Sequence, residues 1–305
     1  MPTGPRSHLT RALADIKLAH SVFALPFAIT AAFLAAPIEW PRFIPQLVLI
    51  IACMVLARTW AMLVNRLADH DIDARNPRTS RRAFASAAVP INFGLALAVT
   101  CAVGFIAIAT LFFVFFDNPY PPLLAIPVLA WIALYSFTKR FTFLAHLFLG
   151  SALAVSPIAT LIAINPDIAF NPIANPTARS IYLLSGFVML WVAAFDIAYA
   201  LQDLDFDRTA NLHSVPSRFG FTPALWIARA LHLLALLLLL ASWHAAPQLA
   251  SLSLAAVIAV AILILTEHIV LTRRGLAGLP MAFFTLNGIA ALVFASAACA
   301  DVLLN

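Results

Sequence analysis

An all-α bundle of about nine membrane-spanning helices is the fold class this sequence predicts, and three observations predict it. Of its 305 residues, 63% are hydrophobic and only 10% are charged, against roughly half and a quarter in soluble domains. Apolar windows of roughly 20 residues, the length a helix needs to cross a hydrocarbon core, follow one another along the whole chain. They lack the alternation of a barrel strand, and lipid offers backbone N–H and C=O groups no partner, so these spans are helices.

In order, the windows are Ser21 to Ile38, Phe43 to Val64, Pro90 to Phe116, Leu123 to Thr138, Phe143 to Ile164, Ile181 to Leu201, Pro223 to Trp243, Leu249 to Thr272 and Met281 to Leu303. Little remains between them, so residues 1–305 are expected to form a single transmembrane domain. Arg6, Arg11 and Lys17 precede the first window without a small-residue cleavage site, and no removable signal peptide is expected. Cys53, Cys101 and Cys299 fall inside apolar windows without metal-ligand spacing and read as small buried hydrophobes.

The formal net charge of +5 would suit nucleic acid, but in a membrane chain the placement of basic residues decides. With nine spans and an inside N-terminus, one side receives Arg6, Arg11, Lys17, Arg66, Arg75, Arg78, Arg81, Arg82, Lys139, Arg140, Arg208, Arg218, Arg273 and Arg274. The other receives only Arg42 and Arg179. By the positive-inside rule the loops after spans two, four, six and eight are cytoplasmic. The expected partner of this charge pattern is a lipid bilayer, the cell inner membrane, and not nucleic acid.

Charges near membrane helices cost roughly 2.5 to 3.5 kcal/mol each at the span centre, so their clustering points to function. One cluster closes the second span as NRLADHDID, with Asn65, Asp69 and Asp73 at four-residue spacing. Another closes the sixth as DIAYALQDLDFD, with Asp196, Tyr199, Asp203 and Asp207. On a continuous helix each set fans over about 80°, one face, whereas Asp205 points away from Asp196 and meets water or a loop. Carboxylates gathered on such faces repel one another unless a cation sits between them. Hard oxygen donors at helix ends suit Mg2+, which takes one or two carboxylates together with waters and phosphate oxygens. Asn65, Asp69, Asp73, Asp203 and Asp207 are the expected metal set, the alternative being solvated helix ends whose carboxylates pair with neighbouring arginines.

Arg66, Arg78, Arg81 and Arg82 follow the first cluster, Lys139 and Arg140 follow span four, and Arg208 and Arg218 follow the second cluster. An arginine fork or a lysine point charge there holds phosphate oxygens beside the metal. The positive-inside rule alone would also populate these loops, so the carboxylates carry the argument.

The paired stretches NxxxDxxxD, from Asn65 to Asp73, and YxxxDxxxD, from Tyr199 to Asp207, resemble the two signatures of the UbiA superfamily of intramembrane prenyltransferases. KLAHSVFALPFA at 17–28, NPRTSRR at 76–82, YSFTKRF at 135–141 and LHSVPSRFG at 212–220 resemble its 4-hydroxybenzoate polyprenyltransferase-like branch, which includes the menaquinone futalosine type. Where relatives usually carry a proline and a glycine after the first motif, this chain has Ala85 and Ala87, and Arg81 replaces a usual small residue. These departures put the cytoplasmic loop and substrate choice in question.

The resemblance implies nine helices around a central cavity capped on the cytoplasmic side, two Mg2+ ions, a polyprenyl diphosphate donor and an aromatic acid acceptor. Asp69, Asp73, Asp203 and Asp207 would hold the metal on the diphosphate, with Asn65, Arg66, Arg78, Arg82, Lys139, Arg140 and Arg218 around the substrates. Arg58, seven residues before Asn65, meets an acceptor carboxylate or pairs with Asp196 or Glu267. Asp196 and Tyr199 orient the acceptor or its leaving proton, unless Asp196 balances a structural arginine. His20, His146, His213, His232 and His268 show no ligand spacing and read as satisfied polar positions, His213 being singled out for its place in the implied cap. The acceptor is 4-hydroxybenzoate, a hydroxynaphthoate, or a haem or chlorin. The competing class is a secondary transporter, whose intramembrane charges usually lie at mid-membrane.

Overall fold

The computed structural model describes residues 5–16, 23–37 and 39–305, with side chains from His8 onward. Lys17, His20, the two ends of the first apolar window at Ser21 and Ile38, and the side chain of Arg6 lie outside the described residues. Among the described residues there is no strand. The helices are α1 Pro5–Asp15, α2 Leu25–Ala35, α3 Trp40–Ala68, α4 His70–Arg75, α5 Ile91–Phe116, α6 Tyr120–Thr138, α7 Ala145–Ile164, α8 Pro166–Ala169 and α9 Pro176–Ala200. They continue as α10 Leu204–Thr209, α11 Val215–Phe219, α12 Phe221–Ala245, α13 Ser251–Arg274 and α14 Asn287–Leu304.

Eight helical stretches among the described residues are long and apolar enough to span a membrane, from Trp40–Ala68 through Met281–Leu304. The first expected window coincides instead with α2, whose 11 residues rise about 16 Å, half of a hydrocarbon core. Pro37 follows its end, and proline cannot extend a helix.

The chain forms two compact units, with α3 passing from one to the other between Ile50 and Ile51. The first comprises residues 1–21 and 51–138. Its core joins Ala12 and Ile16 at the α1 end to Met62 and Leu63 of α3, Phe84 and Val89 of the following loop, and Ala98 and Cys101 of α5. Arg11 of α1 donates from Nη1 to the Ala88 carbonyl at 3.3 Å, and the Trp60 indole donates to the Leu129 carbonyl at 3.1 Å, tying α3 to α6. Thus α1 binds the loop after the first aspartate cluster to the span that carries the cluster.

The second unit comprises residues 22–50 and 139–305, with α9 at its centre. Small residues let α9 approach its neighbours, the usual substitute in membranes for a hydrophobic driving force. Ala193, Ala194 and Ala198 are fully or almost fully buried, and a Cβ added at Gly150 of α7 would collide with the Met189 carbonyl of α9. Ser180 and Ser242 exchange hydroxyl-to-carbonyl hydrogen bonds of 2.8 Å between α9 and α12. Before α14, Met281–Leu286 forms a π-helical turn. Asn287 stabilises it by donating to the Ala282 carbonyl at 2.9 Å while accepting from the Trp191 indole at 2.8 Å. Such a turn frees a carbonyl that lipid cannot satisfy, and the asparagine replaces the missing donor.

Candidate functional site

The first cluster is not carried on one unbroken helix, as its spacing suggests. The span α3 ends at Ala68, and Asp69 takes φ −101°, ψ 5° before the six-residue α4 begins. Aspartate favours such positions because its side chain competes for backbone groups inside a helix. Helical connectivity survives the break, since Asp69 N–H bonds the Asn65 carbonyl at 3.0 Å and Asp73 N–H bonds the Asp69 carbonyl at 2.7 Å.

The second cluster repeats this arrangement. After α9 a 3-10 turn covers Leu201–Asp203, Asp203 takes φ −105°, ψ 6°, and the six-residue α10 follows. The residues around the breaks read DHDID and DLDFD. The middle carboxylates Asp71 and Asp205 are exposed, whereas Asp69 and Asp73 are buried, at 2% and 5% exposure, and Asp203 and Asp207 are half-buried. Two spans therefore end in the same turn, each aiming its first and third aspartates away from open solvent.

Within the first unit the buried carboxylates are embedded in charge. Asn65 donates from Nδ2 to Asp69 at 3.2 Å and accepts at Oδ1 from Arg66 Nη1 at 3.0 Å. Arg66 Nε lies 3.7 Å from Asp15 of α1. Burial pushes the Asp15 carboxyl above its usual range, against the opposing pull of Arg66 and Arg82. Arg82 donates from Nη1 to both oxygens of Asp73, at 2.9 and 2.7 Å. Arg78 is exposed, in a turn where its N–H bonds Asn76 Oδ1 at 3.0 Å. Two turns before Asn65 on α3, Arg58 has a buried Nε without a hydrogen-bond partner among the described residues.

Within the second unit the loop after α10 folds back over the second cluster. Ser214 donates to Asp207 Oδ2 at 3.0 Å and caps α11 through a capping box with Ser217. His213 N–H bonds the Lys139 carbonyl at 2.7 Å, while its imidazole is exposed. Lys139 is half-buried and Arg140 exposed. Arg218 places its guanidinium 4.4 Å from the centre of the Phe143 ring. The Tyr199 ring lies 4.3 Å from that of Phe283. Asp196 is held at Oδ2 by His146 Nδ1 at 2.7 Å.

His146, Ser214 and Asp15 were not singled out by the sequence. Asp196 and His146 stand 50 residues apart, and Asp15 and Arg66 lie on separate helices, so no periodicity reports either pair. Ser214 had a local signal in the Ser-Val-Pro-Ser cap pattern beside Asp207.

Among the described residues no three His, Cys, Asp or Glu side chains gather closely enough to hold a metal ion. The donor chemistry nevertheless fits Mg2+, which keeps several waters and needs only one or two carboxylates with substrate phosphates. A thiolate- and imidazole-preferring metal such as zinc fits these residues poorly.

The family model described as "UbiA prenyltransferase family" matches residues 24–300. A 4-hydroxybenzoate octaprenyltransferase of Alcanivorax borkumensis is 31% identical over 187 residues, 61% of this chain and 60% of the relative. One of Saccharophagus degradans is 30% identical over 176 residues, 57% of this chain and 54% of the relative. The matched part thus spans little more than half the length of these curated relatives. An apo UbiA homolog of Aeropyrum pernix K1 is similar with a TM-score of 0.76 at 28% identity, covering 94% of this chain and 98% of that one. A UbiA homolog of Archaeoglobus fulgidus bound to GPP and Mg2+ shares the fold, with a TM-score of 0.69 at 18% identity over 96% of this chain and 99% of that one. With all but the two ends of its sequence under the family model, this multi-pass membrane chain belongs to the UbiA prenyltransferase family.

Proposed function

We propose that this chain transfers a polyprenyl group from polyprenyl diphosphate to an aromatic acid, a quinone precursor such as 4-hydroxybenzoate or a hydroxynaphthoate. The observation that carries the reading is the repeated turn at Asp69 and Asp203, which gives each of two spans a pair of sheltered carboxylates followed by basic residues. Such pairs suit a divalent cation on a diphosphate better than the mid-membrane charges of a carrier. The names of the curated relatives and the GPP and Mg2+ bound to the archaeal homolog support it.

In this reading Asp69 and Asp73, with the help of Asn65, and likewise Asp203 and Asp207 would hold Mg2+, which when bound would supply Lewis-acid neutralisation of the departing diphosphate. Arg82, now across Asp73, moves to the diphosphate oxygens, with Arg66, Arg78, Lys139, Arg140 and Arg218 completing the basic surround. The exposed His213 belongs to the loop that covers the donor. The allylic C–O bond breaks with its electron pair leaving on the diphosphate, and the ring carbon beside the phenol hydroxyl bonds the prenyl carbon and then loses its proton. Water would intercept the allylic cation, and the apolar spans exclude it. The buried, unpaired Nε of Arg58 suits the acceptor carboxylate, and Asp196 and Tyr199 suit its hydroxyl. In this reading the active-site mouth opens to the cytoplasmic side of the inner membrane, in keeping with the basic residues of the loops around it.

The test is prenyl transfer by detergent-purified protein with radiolabelled polyprenyl diphosphate and either 4-hydroxybenzoate or a dihydroxynaphthoate, with and without Mg2+. Magnesium-dependent product on one ring is expected. Binding of the diphosphate without product on either ring would reject the acceptor class, and no diphosphate binding would reject the reading.

A further inference from the structure

Beyond the two aspartate turns, the second unit carries a polar connection that crosses three helices. His146 lies on the first turn of α7 and is 4% exposed. Its Nδ1 sits 2.7 Å from Asp196 Oδ2 on α9, and its Nε2 sits 3.3 Å from the Val215 backbone nitrogen at the start of α11. A backbone N–H only donates, so Nε2 is the acceptor, and the single proton of a neutral imidazole resides on Nδ1 and is donated to the carboxylate. Both ring nitrogens are thereby committed, the tautomer is fixed, and the ring cannot flip without losing both bonds. Among the described residues the Asp196 side chain has no other hydrogen bond, and it is 23% exposed. One carboxylate oxygen is locked and the other is left to accept a proton donor.

The same loop reaches the other substrate side. Val215 follows Ser214, whose hydroxyl binds Asp207. Deleting the imidazole therefore loosens two things at once, the carboxylate on α9 and the cap that leans on the second aspartate turn.

We infer that His146 is a positioning residue, clamped by the Val215 amide so that Asp196 presents its free oxygen to the hydroxyl of the aromatic acceptor, and that it thereby couples the acceptor side to the α11 cap. The inference rests on the proposed role of Asp196, and its structural half is testable without turnover. Asparagine at 146 retains an amide donor where Nδ1 stands but loses the acceptor for Val215. Val215→Pro removes the N–H and exchanges a buried valine side chain for a proline ring, without straining the backbone, because Val215 is the first residue of α11, where proline is favoured, and the preceding Ser214 is extended at φ −142°, ψ 162°, as a residue before proline must be.

The experiment measures kcat and both KM values for His146→Ala, His146→Asn and Val215→Pro, together with hydrogen exchange of residues 212–219 in these proteins, in Asp196→Ala and in the His146→Ala/Asp196→Ala double variant. His146→Ala should raise the acceptor KM about tenfold or more, leave the donor KM nearly unchanged, and be only partly rescued by His146→Asn, which keeps the bond to Asp196 but not the one to Val215. Val215→Pro should raise the acceptor KM although residue 215 has no assigned contact with the acceptor. His146→Ala and Asp196→Ala should each speed exchange of 212–219, and the double variant should be no faster than the faster single one. An unchanged acceptor KM in His146→Ala would reduce the residue to a structural role. Additive exchange effects would overturn the coupling whether or not the protein turns over. Non-additive exchange with no product on any aromatic acid would instead leave the coupling standing and reject the proposed reaction.

Discussion

Arg82 lays one guanidinium nitrogen across both carboxylate oxygens of Asp73, at 2.9 and 2.7 Å. The arginine thus stands where the carboxylates of the first turn call for a cation, and it is available to travel once another cation arrives. Its removal strands a buried carboxylate, which costs up to roughly 3 kcal/mol. Arg82→Ala should therefore lower the Tm of the detergent-solubilised protein, and Mg2+ should restore part of the loss by replacing the missing charge. A Tm deficit unaffected by Mg2+ would argue against metal binding at Asp73.

The turn geometry separates the aspartates within each triplet. Asp69→Ala and Asp203→Ala should each reduce magnesium-dependent prenyl transfer by about 100-fold or more, the scale seen when groups stabilising developing charge are removed. Asp71→Ala and Asp205→Ala, which remove exposed carboxylates, should stay within about threefold of the parent, since surface substitutions rarely exceed ~0.5 kcal/mol. Equal losses at all four positions would contradict the division between sheltered and exposed carboxylates.

How far the site was legible in the sequence depends on the distance over which each feature is encoded. The apolar windows and four-residue aspartate spacing are local, and they located eight spans and both aspartate clusters. The break at Asp69 was not legible, because NRLADHDID has no proline or glycine and reads as one helix. The short α2 was overestimated because hydropathy does not register where a helix stops. His146 read as one of several scattered histidines, since its partners Asp196 and Val215 lie 50 and 69 residues away.

Ala87 takes φ 56° in the loop after the first turn, a left-handed conformation that costs an L-residue about 1 kcal/mol and glycine almost nothing. Ala87 is one of three positions in this loop, with Arg81 and Ala85, at which the sequence departs from the family pattern it resembles. Ala87→Gly should raise stability by up to about 1 kcal/mol in denaturant unfolding, whereas Ala85→Gly should not.

The collision of an added Cβ at Gly150 with the Met189 carbonyl predicts that Gly150→Ala pushes α7 from α9. A backbone atom cannot rotate aside as a side chain can, so the expected cost is about 1 to 3 kcal/mol. The check is Tm in detergent, with Gly186→Ala as the milder comparison, because there the added Cβ meets only the end of a leucine side chain at 3.1 Å.

Asp15 supplies a pH dependence. Burial raises its carboxyl above 3.8 in the folded protein, so between 3.8 and the raised value the folded state binds more protons than the unfolded one. Its contribution to stability therefore falls as pH rises through that window. Asp15→Asn should flatten the pH dependence of Tm above pH 4 in this direction, as differential scanning fluorimetry at stepped pH would show. A steeper fall in the variant would mean that the pairing with Arg66 outweighs burial.

The bonds that finish the two aspartate turns are short in sequence, nine residues from Arg82 to Asp73 and seven from Ser214 to Asp207. Closing such small loops takes well under a microsecond, whereas packing distant helices is slower. Each turn can therefore assume its shape as soon as its own span has threaded into the bilayer, before the remaining spans have been synthesised. Carboxylates that would otherwise repel one another in a growing chain are given neutral or basic companions from the outset, and the order of translation becomes part of how the site is made.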